Sequence, residues 1–183
     1  MTLSIWCWCV AGLSALLGVA ALAAPAALAR GVRALPRSVW AGRLLTLAVY
    51  GWVAGYLWTT PVDWFDFLRP YLWYMAVAAY GITIFFVDEL LAIRALGGLL
   101  LMAPYFILDA ARWTGTPVRF VPVALAYICV LKGGVLIAAP WWFRKTLAPF
   151  VEHPRWMRLL GGAALADAAL FAFVARFFQL RGF

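Results

Sequence analysis

The chain has 183 residues and a net charge of +8, and it is 67% hydrophobic with 12% charged residues. A soluble domain carries about 45–50% apolar and ~25% charged residues, so this composition excludes an ordinary globular domain and points to a polytopic membrane protein with mean hydropathy +0.95. Spans of about 20 residues allow six helices and leave only short loops, so residues 1–183 read as a single transmembrane domain with no soluble domain.

Residues 3–29 form the first apolar run, and no basic residue precedes it. It lacks the charged start of a secretory signal and reads as a retained first helix. Its small residues Ala11, Gly12, Ser14, Ala15 and Gly18 allow another helix to approach closely. Cys7 and Cys9 lie two apart, on different helix faces, and with Cys129 they read as small apolar fillers rather than a redox or metal pair. Arg30, Arg33, Arg37 and Arg43 then bracket a loop containing Pro36, the strongest topology signal in the chain.

The second helix is expected over residues 39–59. It carries Gly51 and Gly55 in a GxxxG spacing that puts both glycines on one face, suited to tight packing within the chain. Residues 61–70 read as an interfacial loop with Asp63 and Asp66 among aromatics. A third helix over residues 71–87 ends at Asp88 and Glu89, and a fourth over residues 96–111 contains Pro104, which predicts a kink. The link over residues 88–94 has no Gly, Pro or Asn, the residues that usually make turns, so five helices remain possible if one run does not span.

The stretch 121–175 reads as two apolar helices joined by the most polar segment of the chain. Helix five, residues 121–143, is centred on Lys132, and helix six, residues 159–175, on Asp167. In an antiparallel hairpin turning near residues 148–151, each charge lies roughly 25 Å from the turn at ~1.5 Å per residue. An unpaired charge at a bilayer centre costs ~3 kcal/mol or more, so the sequence predicts a Lys132–Asp167 ion pair. Gly133 and Gly134 beside the lysine, and Gly161 and Gly162 in the last helix, are candidate packing glycines.

Loop charges orient six helices with the N-terminus outside. Nine basic residues then face the cytoplasm (Arg30, Arg33, Arg37, Arg43, Arg94, Arg144, Lys145, Arg155 and Arg158) against five outside. Ten of the eleven tryptophans fall near expected helix ends and read as interface belts, leaving Trp52 mid-helix. A repeat is also visible. Arg94-Ala-Leu-Gly-Gly98 resembles Arg158-Leu-Leu-Gly-Gly162, and each run ends in an arginine eighteen positions on, Arg112 and Arg176. Such runs would form a parallel repeat of helical hairpins, although the acids Asp109 and Asp167 break the match.

Chemistry is sparse. His153 is the single histidine, so paired axial imidazoles for haem and a histidine cluster for a metal are excluded, and no cofactor is expected. No P-loop, dinucleotide fingerprint, nucleophile elbow or zincin motif is present. The reading is therefore an all-α polytopic transmembrane bundle of about six helices arranged as three hairpins. It sits in a cell membrane of bacterial inner-membrane type and acts as a non-catalytic subunit or scaffold of a larger complex. The alternative is a small solute or ion transporter using Lys132 and Asp167 at the midplane. Expected partners are the lipid bilayer and other membrane subunits; nucleic acid is not expected, because no soluble basic module is present.

Overall fold

The computed structural model describes residues 3–60, 63–86 and 90–181, the side chains of residues 63–66 and 154 excepted. The expected acidic end of the third helix, Asp88 and Glu89, lies outside these, as do the side chains of Asp63 and Asp66. Eight α-helices carry the described chain: α1 Leu3–Ala23, α2 Pro25–Ala34, α3 Val39–Thr59, α4 Leu72–Phe86, α5 Leu91–Arg112, α6 Phe120–Ala138, α7 Trp141–Glu152 and α8 Pro154–Leu180. No strand occurs among the described residues. Among the described residues, four segments are long and apolar enough to cross a membrane: Leu3–Ala23, Leu91–Arg112, Pro117–Ala138 and Arg155–Leu180. Helix α3 has the length, but Arg43 and its tryptophans, tyrosines and glycines dilute its apolar character; α4 has only 15 residues.

Local chemistry sets the breaks. The expected first helix of residues 3–29 is interrupted at Ala24, and Pro25 opens α2 at a first-turn position where its missing N–H costs nothing. Ser38 caps α3 by accepting a hydrogen bond from the Ala41 N–H at 3.2 Å. Pro140 separates α6 from α7, so the fifth helix stops at Ala138, short of the expected residue 143. The link before α5, which lacks a turn residue, is closed by Leu90 at φ 56° and ψ 30°. That left-handed conformation costs a non-glycine residue about 1–2 kcal/mol.

Pairing departs from three sequential hairpins. Helix α8 packs most extensively on α1, α5 on α6, and α3 lies between α4 and α5. The expected hairpin of helices five and six is not formed, because α7 intervenes. Its 12 residues span about 18 Å, too short to cross a membrane.

The main core joins one half of the bundle: Leu3, Cys7 and Ala11 of α1 meet Phe171, Val174, Ala175 and Phe178 of α8, Ile107 and Ala111 of α5, and Ala126 of α6. At the other end Ala21 and Met157 pack with Val151 of α7, Leu147 and α2, without α5 or α6. Arg33 donates from Nη2 to the Val151 carbonyl at 2.8 Å there, tying α2 to α7. Trp6 stacks on Phe106 at 5.1 Å and Trp52 meets the same ring at 5.7 Å, so Trp6 knits α1 to α5 rather than belonging to a lipid-facing belt.

Candidate functional site

Two glycine crossings organise the helices. In α5–α6, a Cβ on Gly97 would lie 2.8 Å from the Gly133 carbonyl oxygen, and one on Gly133 would lie 2.8 Å from the Gly97 carbonyl oxygen. In α1–α8, a Cβ on Gly161 would lie 3.1 Å from the Gly18 carbonyl oxygen, and one on Gly18 would lie 3.0 Å from that of Gly161. The neighbours also correspond. Gly97 faces Leu136 and Ile137, three and four residues beyond Gly133; Gly161 faces Ala21 and Leu22, three and four beyond Gly18. Gly133 faces Leu101 and Gly18 faces Leu165, each four residues beyond the opposing glycine. The sequence repeat Arg94–Gly98 and Arg158–Gly162 thus marks two equivalent helix pairs, with the first glycine of each repeat at the crossing.

The second glycines differ. Gly98 faces Val49 of α3 at 3.3 Å, whereas Gly162 has nothing within 4 Å of a Cβ position. On α5 the face through Ala95, Gly98, Met102 and Phe106 is covered, with Ala95 7% exposed and Phe106 against Trp52 and Tyr56 of α3. The corresponding face of α8 is bare: Leu159, opposite number of Ala95, is 63% exposed and Leu170, opposite number of Phe106, 47%. Among the other candidate glycines, Gly51, Gly55 and Gly134 also have nothing within 4 Å of a Cβ. The GxxxG face of α3 is therefore not used in packing within the chain.

Lys132 and Asp167 do not come together. Helix α8 starts at Pro154, which leaves Asp167 thirteen residues from each end. Lys132 stands six residues before the end of α6, about 9 Å in rise, because Pro140 ends that helix early. The two helices also have different principal partners. Asp167, half-buried, accepts a hydrogen bond from Ser14 of α1 at 2.7 Å. Lys132 is exposed on α6 beside Leu131 and near Ile128 and Val135, and among the described residues no ion pair joins it to Asp167. Ser14 was legible only as a small residue. Its role follows from the Gly18–Gly161 crossing one turn away, which brings the α1 and α8 backbones close enough for a serine to reach a carboxylate.

His153 is exposed at the N-terminal boundary of α8. The three cysteines are free, with Cys7 buried. Comparison of the chain with protein-family models, characterised proteins and solved structures gives no match.

Proposed function

We propose that the protein is an integral membrane subunit, a non-catalytic scaffold that builds a larger membrane assembly. The observation that carries this reading is the bare face of α8 at Leu159, Gly162, Leu170 and Phe173. Its equivalent on α5 holds α3, with Val49 seated on Gly98. A transmembrane helix of another chain, presenting a Val-sized residue to Gly162, would complete the second half of the repeat as α3 completes the first. Gly162 and Ala166, one turn apart and both exposed on this face, give it the small-residue strip that lets helices associate in lipid, where hydrophobic burial between helices gives no net force.

In this reading α1, α3, α4, α5, α6 and α8 cross the bilayer as six spans, with the N-terminus outside and α2 and α7 on the cytoplasmic face. The clustering of Arg33, Arg37 and Arg144 at the α2–α7 end supports that orientation. The alternative, a transporter using Lys132 and Asp167, requires a conformation in which both side chains line one path.

The test is a photoreactive residue at position 159 in native membranes. A discrete protein adduct that disappears in Gly162→Leu supports the subunit reading. Lipid adducts alone, unchanged by Gly162→Leu, overturn it.

A further inference from the structure

A cavity of about 360 Å³ opens at the α2–α7 end, lined by Arg33, Arg37, Arg144 and Glu152 together with Leu90 and Leu147 among its apolar residues. Among the described residues that line it, three arginines against one glutamate leave two positive charges in excess. Arg33 has committed Nη2 to the Val151 carbonyl. Arg37 and Arg144 are exposed, and among the described residues they donate no hydrogen bond. Guanidinium groups stay charged at any physiological pH and present a planar fork that matches phosphate oxygens. The cavity wall also contains Leu90, the one non-glycine residue with positive φ among the described residues. Such strain persists where surrounding structure holds it and concentrates at ligand sites. Its side chain adds apolar surface to a cavity whose other wall is cationic, a combination suited to an anion with an apolar tail.

We propose that this cavity binds an anionic phosphate ester, with Arg37 and Arg144 as its principal anion partners and Leu90 and Leu147 against its apolar portion. A phospholipid head group and a soluble phosphate ester share this chemistry. A basic pocket among membrane helices is a recognised form of head-group site.

The test uses the full-length chain in zwitterionic detergent, titrated with short-chain phosphatidylglycerol, short-chain phosphatidylcholine or glycerol 3-phosphate and read by native mass spectrometry. Phosphatidylglycerol should bind about tenfold more tightly than phosphatidylcholine, the equivalent of one charge-assisted hydrogen bond. Arg37→Gln with Arg144→Gln should remove about that factor, whereas Arg155→Gln with Arg158→Gln, the same loss of charge elsewhere on the chain, should change it by less than about twofold. Displacement of phosphatidylglycerol by glycerol 3-phosphate assigns a soluble ester as the occupant; its failure to compete assigns the lipid. Equal retention of both lipids without glycerol 3-phosphate binding overturns the proposal. So does an equal loss in the two double variants, or full binding in Arg37→Gln with Arg144→Gln. Arg33 is left unchanged because its bond to Val151 supports the fold.

Discussion

Gly97→Ala tests the α5–α6 crossing. The added Cβ would meet the Gly133 carbonyl oxygen at 2.8 Å, Ile137 Cγ1 at 2.9 Å and Leu136 Cβ at 3.0 Å. A backbone oxygen and a Cβ cannot rotate away, so the helices must separate by roughly 0.6 Å, a gap that forfeits a quarter or more of each contact's dispersion energy. Overpacking of this kind costs about 1–3 kcal/mol, while exchanging a helical glycine for alanine returns ~0.5–1 kcal/mol, so a net loss of up to about 2.5 kcal/mol is expected. Gly134→Ala, one residue along α6 from the crossing, meets nothing within 4 Å. It should be neutral or stabilise by up to ~1 kcal/mol. Gly18→Ala should fall between them, because the atoms nearest its Cβ belong to the Leu165 side chain, which can turn. Equilibrium unfolding in mixed micelles measures all three. Equal stability of Gly97→Ala and Gly134→Ala would refute the crossing.

Two further outcomes follow from the placement of the ends and the turn. A cysteine at position 34 should be labelled only from the cytoplasmic side, and one at position 116 only from outside; labelling of both from one side contradicts the six-span orientation. Leu90→Gly should raise the unfolding free energy by up to ~1 kcal/mol in the same micelles, since glycine adopts positive φ without the side-chain clash. A destabilised variant would mean that the packing of the leucine side chain outweighs the strain.

The four long apolar helices were legible because hydropathy is a sum over residues: α1, α5, α6 and α8 fall where apolar runs were expected. Helix pairing was not legible, because it depends on which glycine meets which. Gly133 fits Gly97 as well as any hairpin geometry fits Lys132 to Asp167, and charge complementarity drew attention to the wrong neighbours. The repeat at Arg94 and Arg158 contained the needed signal, since its first glycines sit at both crossings. What it could not supply was the opposing helix, which for α8 is α1, at the other end of the chain. The short helix α7 was hidden for a different reason. Trp141 and Trp142 continue the apolar run past Pro140, so composition alone extends α6 to residue 143, while the proline ends it. The turn at Leu90 carries no sequence signal, because leucine is not a residue that favours the left-handed region.

Helix α8 is paired with α1 through Ser14 and Asp167, and Lys132 is left exposed on α6. A double-mutant cycle measures this directly. Ser14→Ala and Asp167→Leu, singly and together, should show a coupling of ~0.6 kcal/mol, and up to ~1.7 kcal/mol, in the range of hydrogen bonds between membrane helices. Lys132→Met and Asp167→Leu should add to within about 0.3–0.5 kcal/mol, as residues without shared partners do. The reverse result, with Lys132 coupled to Asp167 and Ser14 independent of it, would contradict the pairing and restore the two charges to one path through the membrane.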